Sequence, residues 1–239
     1  MSIAQKLTTL AENEQKVYEA GKQAYEDWFW DIYQNKGLRT DYKGAFSGDG
    51  WTNETFKPVY DMKPVDMFSM FNGCNVEGEL PKILDNFGVS IDMSECNTFT
   101  YTFASTQFTR LGVIDLTNAT NMSSGLSSSR LLETIDEFRL NDSGKCTFAN
   151  TFTYLTALKN ITVTGVIGKD WNMQWSDNLT AESIKSIINA LKNYSGTDEA
   201  KVYKLTFSAK AWNTIEATTP PEGYETWKDY VSSGLGWNV

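Results

Sequence analysis

Over the first 34 residues the apolar and small positions fall in alternating steps of four and three. Behind Ser2 as N-cap come Ile3, Leu7, Leu10, Val17, Gly21, Ala24 and Trp28, with Glu14 in the one missing slot. A period of about 3.5 is the seam of a coiled coil, here weakened by Glu14 and Gly21. The pattern predicts one long helix over 1–34. Two readings of it stand open: an amphipathic helix lying on its own domain, or a docking helix or oligomeric stalk, trimeric for example. In the second, Ile3, Leu7, Leu10, Val17, Ala24 and Trp28 are the docking residues. Trp28, Phe29, Trp30, Ile32 and Tyr33 then form an aromatic cluster that packs the helix onto the next segment.

Residues 35–63 carry Asn35, Gly37, Gly44, Gly48, Gly50 and Pro58 and read as a turn-rich connector. Ser47-Gly-Asp-Gly-Trp51 is a tight connection with too few acids for a calcium loop. Residues 64–178 repeat L-x-x-I followed by alternation: Leu111 to Leu116, Leu132 to Asp136 and Leu158 to Val163, with Leu80-Pro-Lys-Ile83 as an earlier, distorted copy. An apolar residue precedes each, at Phe71, Phe103, Leu126 and Phe152, and polar stretches such as Ser123-Ser-Gly125 and Ser127-Ser-Ser-Arg130 lie between. Units of roughly 20–30 residues with one short strand and one polar turn mark a solenoid; the competing reading is chance recurrence of a degenerate spacing. Residues 179–239 form a cap. Its best helix spans 179–193, with Thr180 as N-cap, Glu182 against the helix dipole and Ile184, Ile187, Ile188 and Leu191 on one face. A strand through Tyr203, Leu205 and Phe207 follows, then a Pro220-Pro221 break and a short helix over 222–231. The expected fold class is therefore α+β: a long N-terminal helix, an irregular leucine-rich-repeat-like β-solenoid, and a C-terminal helical and strand cap.

Composition removes several chemistries. The 239 residues include no His, so imidazole-dependent triads and imidazole metal sites are excluded. With 21 Lys and Arg against 30 Asp and Glu, the net charge of -9 argues against nucleic acid as a partner. Hydrophobic residues at 41% suffice for a packed core. Cys74, Cys96 and Cys146 form no C-x-x-C pair and read as small buried hydrophobes. No signal peptide and no membrane-spanning run is expected, and the sequons at Asn53 and Asn160 then reflect composition alone. No phosphate-binding loop, dinucleotide fingerprint or nucleophile elbow occurs. No cofactor, no metal and no catalytic residue is expected. Asp92, Asp115 and Asp136 could supply a paired-carboxylate glycosidase, but Asp at such positions is more often a turn former. Trp171, Asn172, Gln174 and Trp175 are the candidate binding residues, since flat aromatics beside amides suit sugar recognition. The competing reading has both indoles plugging the junction between repeats and cap.

Three segments resemble a known family. Ser2-Ile-Ala-Gln-Lys-Leu-Thr-Thr-Leu-Ala-Glu-Asn-Glu-Gln-Lys-Val-Tyr-Glu-Ala-Gly-Lys22 is the first, with Phe29-Trp-Asp-Ile-Tyr33 after it. Tyr42-Lys-Gly-Ala-Phe-Ser-Gly-Asp-Gly-Trp51 with Phe56-Lys-Pro58 is the second. Leu179-Thr-Ala-Glu-Ser-Ile-Lys-Ser-Ile-Ile-Asn-Ala-Leu191, followed by Leu205-Thr-Phe-Ser208, is the third. Together they resemble the BspA-like leucine-rich-repeat proteins of gut bacteria, in particular a group encoded by their phages and prophages. The resemblance implies a non-catalytic virion component associated with a tail, baseplate or fibre, made in the bacterial cytoplasm. The implied partners are other virion proteins and a host surface receptor or glycan. An alternative is a cytoplasmic interaction module acting on a host factor.

Overall fold

The computed structural model describes residues 41–58 and 61–239, together with Glu12, Asn13, Gln15, Lys16, Glu19 and Lys22, which are helical. The chain divides into two compact units, Met1–Arg39 and Thr40–Val239. Ile3, Leu7, Leu10, Val17, Ala24 and Trp28, the expected docking residues, lie outside the described residues.

In the second unit, β1 (Gly78–Glu79), β2 (Phe108–Leu116), β3 (Thr134–Leu140) and β4 (Asn160–Thr164) form one sheet in that order, every pair parallel. A second parallel pair joins β5 (Trp171–Met173) to β6 (Leu205–Phe207). The helices α1 (Leu80–Phe87), α2 (Ala181–Asn189), α3 (Ala209–Glu216) and α4 (Trp227–Asp229) are short, and a π-helical turn (Tyr230–Gly234) follows α4.

This arrangement overturns the expected fold class. In the second unit there is a four-stranded parallel sheet with helices of nine residues at most, an α/β-like fold in place of the α+β chain with a leucine-rich-repeat-like β-solenoid and a cap, and the expected long helix over 1–34 falls largely outside the described residues. Parallel neighbours need a crossover rather than a hairpin, and one of these crossovers is helical. Leu80-Pro-Lys-Ile83, expected as a strand core, is the start of α1. Pro81 sits in the first turn, where its missing N–H costs nothing. Leu80, Ile83, Leu84 and Phe87 recur at helical spacing, and Gly88 stops the helix at φ 65°. The other L-x-x-I units are out of step with the pairing. Leu111 pairs with Ile135, and Ile135 with Ile161, so Leu111 stands with the second residue of the later units. The apolar run that matters begins one step earlier, at Phe108.

Opposite the sheet, five turn-rich segments stack as rungs. Tyr42, Gly44, Phe46 and Gly48 donate their backbone N–H groups to the carbonyls of Asp66, Phe68, Met70 and Asn72 at 2.7–2.9 Å. Met67, Ser69, Phe71 and Gly73 donate in the same way to Thr98, Thr100, Thr102 and Ala104. The pattern continues from Phe99, Tyr101, Phe103 and Ser105 to the rung at 121–127, and from Met122, Ser124 and Ser128 to the rung at 147–153. The intervening N–H groups close turns within their own rung, as Ala104 does onto Tyr101. In the first four rungs most backbone donors are thus satisfied without regular strands.

This wiring requires two left-handed residues per rung. One column is Gly44, Ser69, Tyr101, Ser124 and Asn150; the other is Gly48, Gly73, Ser105, Ser128 and Tyr154. All ten have φ between 55° and 97°. Each non-glycine in that region costs roughly 1–2 kcal/mol, which the inter-rung bonds and the core must offset. The core column is Phe46, Phe71, Phe103, Leu126 and Phe152, all fully buried. Phe46 and Phe71 stack with centroids 5.3 Å apart, and Phe71 and Phe103 at 5.5 Å with planes 8° apart. Each such ring contributes about 2–3 kcal/mol through burial.

The open edge of the sheet is closed by side chains. Along β4, the N–H of Ile161 donates to Ser183 Oγ (2.9 Å) and that of Val163 to Ser186 Oγ (2.7 Å), both hydroxyls coming from α2. Ser183 and Ser186 return their own protons to the carbonyls of Lys159 and Val163. The helix starts where Thr180 Oγ1 accepts from Ser183 N. An exposed edge invites pairing with other chains, and these serines remove it. Ser183→Ala with Ser186→Ala is expected to cost about 2–4 kcal/mol, because two buried N–H groups lose their acceptors; denaturant titration checks this. Gly125→Ala is expected to cost about 1–3 kcal/mol, since its Cβ would lie 2.9 Å from the carbonyl oxygens of both Phe99 and Met122.

Candidate functional site

The four expected binding residues separate into one core residue and three surface ones. Trp171 opens β5 and is 0% exposed. Its indole lies against the rings of Phe138, Phe148 and Phe152, with centroids at 5.6, 4.8 and 4.4 Å. The buried Trp171 Nε1 has no hydrogen-bond partner among the described residues. Trp171 is the pin that fixes the turn after β5. Asn172 and Gln174 are exposed, and Asn172 Oδ1 accepts from Gln174 N at 3.0 Å, tightening that turn.

Trp175 faces solvent, at 39% exposure. The next residue, Ser176, is buried and donates from Oγ to the Leu155 carbonyl at 3.2 Å. Asn178 Nδ2 donates to the Thr156 carbonyl at 2.9 Å. These two bonds hold the Trp175 turn against the preceding rung. There Tyr154, also 39% exposed, meets Trp175 with ring centroids 4.6 Å apart and planes at 46°. From the rung before that, the Arg130 guanidinium stands over the Tyr154 ring, 5.4 Å from its centroid. The exposed Leu131 follows it in the chain. Three successive layers therefore contribute one side chain each to a surface cluster.

Tyr154 occupies the second left-handed column, φ 59°, where other rungs place Gly48, Gly73, Ser105 and Ser128. A bulky side chain in that region is an outlier. It does not repay its strain by deep burial, and such residues concentrate where strain serves a purpose. Tyr101 repeats the arrangement in the first column, 44% exposed and edge-on to the exposed Phe68 at 6.2 Å. Sequence reasoning missed Arg130 and Tyr154, since only rung stacking brings them to Trp175. The available signal was an aromatic in a slot otherwise held by Gly and Ser.

The three aspartates have structural employment. Asp92 Oδ1 accepts from Ser94 N at 3.1 Å, and bonding to Ser94 holds its pKa below the ordinary carboxylate value. Asp115 Oδ1 accepts from Thr117 N and Oγ1 (3.0 and 2.6 Å), while Oδ2 pairs with Arg139 at 3.1 Å. Asp136 lies within β3 and takes a two-point bond from Arg110 at 2.8 and 3.0 Å. Arg110 also reaches Glu79 at 3.1 Å, and Arg139 reaches Glu137 at 2.7 Å. The sheet's outer face thus carries ion pairs with two acids to each arginine. A polar cleft of about 280 Å³ lies over β3 and β4 beside α2, between Asp136, Asn160, Thr162 and Glu182. An apolar cleft of about 220 Å³ separates α1 from β2, lined by Leu84, Val89, Met93 and Val113.

Burial pushes the Cys74 and Cys96 thiols up to about 11 and Cys146 to about 12, so none is a thiolate near neutral pH. Among the described residues no group of three or more Cys, Asp or Glu is placed to hold a metal ion, and no helix is long and apolar enough to cross a membrane. No protein-family model matches the chain, and no curated protein or solved structure is significantly similar to it.

Replacing Tyr154 by Asn, a residue at ease in the left-handed region, is expected to leave stability unchanged or raise it by up to about 1 kcal/mol; thermal unfolding measures this. A loss above about 1 kcal/mol would show that Tyr154 is structural. The bond from Arg139, then that from the Thr164 hydroxyl, lowers the pKa of Glu137 below 4.5. Its contribution is complete above that value and lost as pH falls through the lowered one. Glu137→Gln is therefore expected to flatten the acid loss of stability between about pH 5 and 3, as followed by circular dichroism.

Proposed function

We propose that this chain is a non-catalytic recognition component of a phage particle, tail- or baseplate-associated, and that the Arg130–Tyr154–Trp175 cluster is its contact with a host-surface receptor or a neighbouring virion protein. The observation that carries the recognition reading is Tyr154: an aromatic residue in left-handed backbone, 39% exposed, with its ring against Trp175 and Arg130 at the surface. Exposed aromatics and Arg are the side chains that most often dominate binding energy, and a rigid scaffold beneath them lowers the entropy cost of association. The placement in a phage particle rests on the resemblance of the three segments named above. The non-catalytic reading is supported by the engagement of Asp92, Asp115 and Asp136 in turns and ion pairs.

Mass spectrometry of purified particles tests the placement: peptides of this chain are expected at structural copy number, and their absence refutes it. Particles carrying Trp175→Ala are expected to adsorb to host cells about tenfold less well, or to lose the chain during assembly, which is the scale of one binding hot spot. Unchanged adsorption and unchanged content would refute the role of the cluster.

A further inference from the structure

Of the arginines among the described residues, two spend their charge on the sheet face: Arg110 on Glu79 and Asp136, Arg139 on Asp115 and Glu137. Arg130 has no ion-pair partner among the described residues; its guanidinium stands over the Tyr154 ring. It is the one described arginine without a carboxylate, in a chain of net charge -9. It also stands beside outward-facing rings, one of which is held there at a cost in backbone strain.

Building on the recognition reading above, we propose that the cluster binds an acidic glycan, with a sugar face stacked on Trp175 and Tyr154 and the sugar's carboxylate paired with Arg130. Aromatic faces suit the C–H face of a pyranose. The planar guanidinium fork matches a carboxylate at two points, which an ammonium cannot do. Asn172 and Gln174, exposed in the same turn as Trp175, supply amide groups for hydroxyls. The backbone N–H groups of Ser128, Arg130 and Ser176 are taken by the carbonyls of Thr153, Ser128 and Met173. What the cluster itself presents is rings, side-chain amides and the charge of Arg130.

The test is titration calorimetry of the full chain with two matched pairs: sialyllactose against lactose, and trigalacturonate against its methyl ester. The acidic member of at least one pair is expected to bind roughly fivefold or more tightly than its neutral partner, the upper range for an exposed ion pair. That preference should vanish in Arg130→Gln, survive in part in Arg130→Lys, and shrink in about 1 M salt. Trp175→Ala should abolish binding of both members. Equal affinity for acidic and neutral partners overturns the charge assignment alone and leaves the cluster as a sugar platform. No binding of any of the four sugars overturns the glycan class. If host adsorption still depends on Trp175 in that case, the recognition reading survives with a protein as partner.

Discussion

The stack of rungs depends on one repeated exchange: in the first four turn-rich rungs, alternate backbone N–H groups are given to carbonyls of the next rung, while their neighbours close turns within the rung. The exchange dictates a left-handed residue at two positions per rung, because only that backbone aims alternate amides along the stack. It also fixes where side chains point. Phe46, Phe71, Phe103, Leu126 and Phe152 are driven into one buried column. The left-handed positions are driven outward, where Gly, Ser and Asn are the economical occupants. A parallel sheet on the other side, β1 to β4, shares the same stacking direction and so needs no hairpin.

From that constraint the candidate site follows. Because successive rungs are in register, residues more than twenty positions apart become surface neighbours: Arg130, Tyr154 and Trp175 are contributed one per layer. Trp171 anchors the last of these layers from below, and Ser176 and Asn178 tie it to the carbonyls of Leu155 and Thr156. The rings are consequently held on backbone-bonded turns rather than on a free loop, so little side-chain and loop ordering remains for a ligand to bring about. The sheet face presents the opposite character. There each of two arginines bridges two acids, which keeps that face hydrated and net negative.

Parts of this were legible in the sequence. Thr180, Glu182 and the isoleucines of α2 announced a capped helix, and the cap bond to Ser183 N is present. Leu205 and Phe207 announced a strand, which is β6. Phe71, Phe103, Leu126 and Phe152 were recognisable as recurring apolar positions, and they share one column. Three things were not legible. Leu80 to Ile83 mimicked a strand core because β2 carries the same spacing at Leu111 and Ile114, both buried; only continuation to Leu84 and Phe87 distinguishes a helix. The strand register was misjudged by one unit, since L-x-x-I at 111–114 matches the wrong half of the later copies. The left-handed columns leave almost no compositional trace where Ser, Tyr and Asn replace Gly, so neither the rung wiring nor the Arg130–Tyr154–Trp175 cluster could be assembled from one sequence.

The rung wiring is tested most directly by residue-resolved amide hydrogen exchange of the native chain. The inter-rung donors Ser69, Phe71, Tyr101, Phe103, Ser124 and Ser128 should exchange only through global unfolding, at the same slow rate as the interior amides of β2 and β3. Exchange at those six amides orders of magnitude faster than in the strands would mean that the turns open independently of the sheet. It would contradict the claim that the rungs, rather than the sheet alone, hold the molecule and its surface cluster in place.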